Sequence, residues 1–275
     1  MAKDQPLRLA TFLAPCIRSA YQTVAEYVSE RLGRPVELVD GASFGAFAGG
    51  AADAGFLCGL PYVLLARQDP PPVELLAAPV LHGERYGGRP IYFSDVIVHR
   101  ESPFRSFADL RGRSWAYNDP DSHSGYNVTR YRLIQMGETG GFFGRVVEAG
   151  YHQRSIRLVA AGATAQEDLR VDASAIDSQV LAVELRDHPE LAGQLRVIDV
   201  LGPSTIQPVV AARRLPDRLK ADLRAALLAM GDDPRFRPRL AHCLVERFVA
   251  VDDATYDDIR AMLAAAEETG FLALR

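Results

Sequence analysis

The feature that most constrains the fold is an alternation of strand-length apolar runs with helix-period segments, which begins close to the N-terminus. Leu7 to Leu13 reads as a buried strand. Tyr21, Val24, Ala25, Val28 and Leu32 then recur at helical spacing up to a stop at Gly33, and Val36 to Val39 reads as a second strand. Tyr21 fits the apolar face of that helix and is expected in the core. A β-α-β unit of this kind is what a parallel sheet covered by helices requires.

The pattern continues along the chain. Strands are expected at Ala54 to Leu57, Val73 to Val80, Ile91 to Val98, Ser114 to Tyr117, Ala173 to Ile176, Leu195 to Val200, Val209 to Ala212 and Phe248 to Val251. Helices are expected at Phe44 to Phe47, Pro61 to Arg67, Ser106 to Leu110, from near Ser124, and at Ser155 to Ala161, Gln179 to Arg186, Asp217 to Met230 and Ala254 to Glu268, with a Gly-rich joint at Gly140, Gly141 and Gly144. Two lobes fit this order if residues 1–93 and 202–275 build the first and residues 94–201 the second, the chain crossing twice. A single larger α/β sheet would show the same alternation.

Charge and cysteine usage narrow the function. With 31 basic against 35 acidic side chains, a net charge of −4, the chain offers no basic excess to a polyanion, so nucleic acid is not an expected partner. Cys16, Cys58 and Cys243 are far apart and show no zinc spacing; each reads as a small buried hydrophobe, although one pair could bridge. No run approaches the ~18 apolar residues of a membrane helix. Met1 to Pro6 lacks the apolar stretch of a secretory signal, which suggests a cytoplasmic protein or a periplasmic one whose signal has been removed.

The most informative stretch for chemistry is Ala116 to Tyr126, which joins a strand to a helix. Ser122 and Ser124 are good N-cap residues, and the backbone N–H groups after them lack intrahelical acceptors. Together with the positive end of the helix dipole they form an anion site of hydroxyls and amides, to which Gly125 admits a ligand closely. The alternative is an ordinary capped helix whose donors meet water. A phosphate P-loop is disfavoured, since its glycine-rich run and lysine are absent.

The run Asn118-Asp119-Pro120-Asp121-Ser122-His123-Ser124-Gly125-Tyr126 resembles the S-x-S-G-Y helix start of the phosphonate, phosphite and phosphate solute-binding proteins of ABC transporters. Other segments agree in order. Ala52 to Tyr62 is similar to the family segment that places an aromatic ring at the ligand, Gly150 to Ile156 with Ala173 to Ser178 resembles its His/Asp pair, and Ala10 to Pro15 fits its first strand and turn. The resemblance implies the type 2 periplasmic-binding-protein fold, two α/β lobes, each a mostly parallel sheet flanked by helices, closing on a ligand in the cleft between them. It also implies a ligand-binding set of Ser122, His123, Ser124, Gly125, Tyr126, Tyr62, Tyr92, His152 and Asp177.

Two departures stand out. His123 occupies a position where the family more often has threonine, which removes a hydroxyl and adds a group that titrates near neutral pH. Cys58-Gly59-Leu60 stands where Phe-Gly-Pro is usual. Each candidate also has a plainer reading: His152 and Asp177 as helix caps, Tyr62 and Tyr92 as core aromatics.

Ser122, His152 and Asp177 supply the residue types of a hydrolytic triad, but G-x-S-x-G is missing. His123, His152 and Asp177 have metal-ligand chemistry without a metal-binding spacing, and Asp252, Asp253, Asp257 and Asp258 read as capping residues on a solvated face. The expected function is capture of a phosphonate-class oxyanion by a monomer, without cofactor or metal, for an ABC transporter permease. The rival expectation is a cytoplasmic ligand sensor or scaffold on the same fold.

Overall fold

A computed structural model describes residues 5–162 and 170–274. The chain forms two compact units, Met1–Ile91 with Thr205–Asp257, and Tyr92–Ser204 with Asp258–Arg275.

In the first unit β1 (Leu7–Thr11), β2 (Val36–Asp40) and β3 (Ala54–Phe56) lie parallel, with β1 in the middle, as the opening β-α-β pattern requires. Helix α1 (Arg18–Leu32) connects β1 to β2, burying Tyr21, Val24, Ala25 and Val28, and ends where Gly33 adopts a left-handed φ of 59° that a side chain would resist. Helix α2 (Gly59–Ala66) follows β3. The remaining strands, β4 (Val73–Leu81), β10 (Val209–Ala212) and β11 (Val245–Val249), join antiparallel, giving the order β11-β4-β10-β3-β1-β2 among the described residues.

The second unit holds a sheet ordered β7-β6-β8-β5-β9, built from β5 (Ile91–His99), β6 (Ser114–Tyr117), β7 (Arg145–Glu148), β8 (Ala173–Asp177) and β9 (Leu195–Thr205). β6 runs parallel to β7 and β8, while β5 is antiparallel to β8. Both sheets are thus mixed rather than mostly parallel: the β-α-β segments supply parallel pairs, and strands that re-enter the sheet run the other way. Helices α3 (Val128–Gln135), α4 (His152–Ala161) and α5 (Ser178–Asp187) follow β6, β7 and β8.

The expected first lobe of 1–93 and 202–275 needs correction at its end. Helix α9 (Asp257–Glu268) and the tail after it belong almost wholly to the second unit, so the chain crosses a third time, after Asp257. Met262, Phe271 and Leu274 share one apolar cluster with Trp115, Phe107, Phe142 and Phe143. The Tyr126 hydroxyl accepts from Leu274 N at 3.3 Å and donates to Leu272 O at 3.4 Å.

Smaller differences follow from packing. β7 follows the Gly-rich joint where no strand was expected, α4 begins three residues before Ser155, and α6 (Pro189–Gln194) and α8 (Arg237–His242) lie where no helix was expected, with α7 (Asp217–Ala229) between them. Cys243 is buried as expected, whereas Cys16 and Cys58 are only half-buried.

Candidate functional site

The loop from β6 reaches its turn at Ser122, whose extended backbone (φ −75°, ψ 132°) presents the side chain as an N-cap; Ser122 Oγ accepts from Gly125 N at 3.1 Å. The turn that follows is wider than an α-helical one, since Asn127 N donates to Ser122 O, five residues back, at 3.1 Å. All of His123 to Asn127 are buried. Ser124 Oγ lies 2.8 Å from His152 Nε2 and 3.4 Å from Ser122 Oγ, so two hydroxyls and an imidazole form one buried chain.

Two atoms of this cluster lack partners among the described residues, His152 Nδ1 and Asn118 Oδ1. Asn118 Oδ1 and the His152 ring sit beside Gly125, where a Cβ would overlap Asn118 Oδ1 and lie 3.3 Å from His152 Cε1. Glycine is required here by the close approach of neighbours rather than by an unusual φ. Buried polar atoms without partners are rare in folded proteins, and several at one place mark a position where something else completes them.

His123 corrects a sequence expectation. Burial, aided by the nearby Arg130 guanidinium, pushes its pKa down to about 3, so it is neutral and does not titrate near pH 7. Burial pushes His152 down to about 3 as well. The cluster therefore offers neutral donors.

A chain match decides what this arrangement belongs to. Residues 10–256 fit the family model described as the periplasmic substrate-binding protein of phosphonate ABC transporters. The chain belongs to this family. Its members are periplasmic substrate-binding proteins, not enzymes.

Solved structures show the same two-lobed type 2 periplasmic-binding-protein fold. A binding-protein component of an ABC phosphonate transporter from Pseudomonas aeruginosa superposes with a TM-score of 0.81 at 21% identity, over 97% of this chain and 88% of that one. PhnD1 from Prochlorococcus marinus, in complex with methylphosphonate, gives 0.79 at 18% identity, over 96% and 98%. The periplasmic aliphatic sulphonate binding protein SsuA from Escherichia coli gives 0.62 at 15% identity, over 98% and 88%.

The other candidates divide between the units. Tyr92 is buried on β5, its ring centroid 6.4 Å from that of His123. Asp177 caps α5, its Oδ1 accepting from Gln179 N at 2.8 Å and Val180 N at 3.2 Å, as its plainer reading has it. The Tyr126 side chain faces the core: its ring packs on Tyr117 and its hydroxyl holds the C-terminal tail. The Gly125 amide serves the Ser122 cap instead of pointing outward.

Tyr62 lies in the first unit on α2, and its hydroxyl donates to Asp253 at 2.6 Å. Asp252 is the cap that the acidic cluster was expected to supply, accepting from Thr255 N at 3.0 Å.

Ser124 and His152 stand as a nucleophile and base would, but the third member of a triad is not in place. His152 Nδ1 has no partner among the described residues, and Asp177 is engaged with the start of α5.

Sequence reasoning missed Asn127, Arg130 and Ser204. Arg130 Nη2 donates to Asn127 Oδ1 at 2.7 Å, Asn127 Nδ2 lies 3.2 Å from His123 Nδ1, and His123 Nε2 lies 2.9 Å from Ser204 Oγ. The spacings from 123 to 127 and from 127 to 130 put three of these on one helical face, a signal present in the sequence. Ser204, 81 residues from His123, left no local signal.

Proposed function

We propose that the chain captures a small oxyanion of the phosphonate, phosphite or phosphate class in the periplasm, as a monomer that delivers it to an ABC transporter permease. The observation that carries this reading is the buried, neutral chain of Ser122, Ser124 and His152, with unpartnered His152 Nδ1 and Asn118 Oδ1 around Gly125. A partly protonated oxyanion head completes that set: the Ser122 and Ser124 hydroxyls and the His123 and Tyr126 amides at the positive helix end donate to its oxygens, neutral His152 donates from Nε2 to Ser124 Oγ and so frees the Ser124 proton for the anion, and Asn118 Oδ1 and His152 Nδ1 accept from a ligand O–H or N–H. Tyr92 and the Asp177 carboxylate set the size and polarity allowed to the rest of the ligand. The relative crystallised with methylphosphonate supports the ligand class.

Titration calorimetry with methylphosphonate, phosphite, phosphate and sulfate tests this. Wild-type protein should bind a phosphorus oxyanion, and at a hundred times Kd the ligand should add about 2.7 kcal/mol of stability. Ser124→Ala should weaken binding roughly 10- to 100-fold, as loss of a hydrogen bond to a charged group does, while leaving the unliganded melting temperature near wild type. An unchanged Kd in Ser124→Ala overturns the site.

A further inference from the structure

The hydrogen-bond chain behind the motif has only one consistent direction. Arginine can only donate, so the Asn127 atom 2.7 Å from Arg130 Nη2 must be the amide oxygen. The Asn127 NH₂ group is then the donor facing His123 Nδ1 at 3.2 Å, and that ring nitrogen must accept. In a neutral imidazole the single proton is left on Nε2, which donates to Ser204 Oγ at 2.9 Å.

Ser204 is buried, 3% exposed, and its hydroxyl oxygen is occupied as an acceptor. Its own proton has no acceptor among the described residues. Arg130, the source of the polarity, is 5% exposed and makes no close ion pair among those residues; its guanidinium donates to Leu272 O at 2.9 Å and to Asn127 Oδ1 at 2.7 Å, which fixes it at the start of the chain.

We infer that Ser204 is a further ligand-binding residue, a hydroxyl that the Arg130–Asn127–His123 chain holds as an obligatory donor to one oxygen of the bound anion. The inference rests on the binding reading above and adds a residue and a mechanism to it. A phosphonate head has three oxygens to satisfy. Ser122 and Ser124 flank His123 in the chain, and Ser204 adds a third hydroxyl at the far nitrogen of the His123 ring. His123 thus brings no hydroxyl of its own but holds the one that Ser204 supplies from β9. Asn127, Arg130 and His123 act as positioning residues, because they touch Ser204 or one another and set which way its proton points.

The test combines calorimetry with methylphosphonate and inorganic phosphate and nitrogen-15 NMR of the histidine rings in full-length protein. Ser204→Ala should weaken binding of both probes about 10- to 100-fold, and Ser204→Thr, which keeps the hydroxyl, should stay within about threefold of wild type. The His123 ring should be neutral and protonated on Nε2 in unliganded wild type, a readout that does not depend on any variant folding.

A His123 proton on Nδ1 overturns the inference. So does wild-type affinity in Ser204→Ala alongside weakened Ser124→Ala, a result that leaves the binding reading standing. Absence of binding by wild type to any phosphorus oxyanion overturns both.

Discussion

Two buried polar centres, one in each unit, make an instructive pair. In the first unit Asp53 is fully buried, yet every demand is met inside the protein: Oδ1 accepts from Arg214 at 2.7 Å and Oδ2 from the Arg8 amide at 2.9 Å. In the second unit Ser122, Ser124 and His152 are also buried, with the Oδ1 atom of half-buried Asn118 beside them, but this cluster is neutral and leaves two atoms unpartnered among the described residues. A closed set of partners is the mark of a structural centre, and open valences are the mark of a site that a ligand completes. Burial alone does not separate the two.

Acid should separate them most strongly. His123 and His152 have folded-state pKa values pushed down to about 3, below the ordinary histidine value of about 6.5, so the unfolded chain binds more protons throughout that interval. Stability is then fully present above pH 6.5 and falls as pH drops towards 3, each ring adding about 1.4 kcal/mol per pH unit to the slope. Hydrogen exchange between pH 7 and 4 should show amides of α3 and α4 losing protection before those of β1 and β3. Equal loss in both units would break the contrast.

Removing the closed centre comes next. Asp53→Ala leaves two guanidiniums and a backbone N–H without their carboxylate. Because the Arg8 and Arg214 side chains remain 42% and 34% exposed, the cost should sit near the low end for breaking a buried pair, about 3 kcal/mol in chemical denaturation. Oxyanion affinity of the folded fraction should not change. A matching loss of affinity would show that Asp53 serves binding as well as folding.

The smallest effect on stability sharpens the comparison from the open side. Gly125→Ala sets a methyl against Asn118 Oδ1 and should cost about 1–3 kcal/mol, with affinity falling as well. Asn118→Ala in the same chain should recover most of the stability but not the affinity. Recovery of both would mean that Asn118 only fills space.

Much of this was legible in the sequence. The opening β-α-β unit, the Gly33 stop and the placement of Ser122 and Ser124 at a helix start follow from periodicity and capping, which act over a few residues. The S-x-S-G-Y resemblance matched the family over most of the chain. What escaped depends on contacts distant in sequence. β11 is Val245–Val249 rather than Phe248 to Val251 because its pairing with β4 sets the register. His123 looked titratable because its solvent exposure cannot be read locally, and its partner Ser204 arrives from another strand.

The third chain crossing also has a consequence for synthesis. The aromatic cluster of Trp115, Phe107, Phe142 and Phe143 is completed by Phe271 and Leu274, so a nascent chain that has produced Ser204 still lacks the pieces that seal it. At about 5–20 residues per second the remaining stretch takes roughly 4–14 s to emerge. For those seconds the aromatic surface that Phe271 and Leu274 cover stays open beside a sheet whose last strand, β9, has already been made.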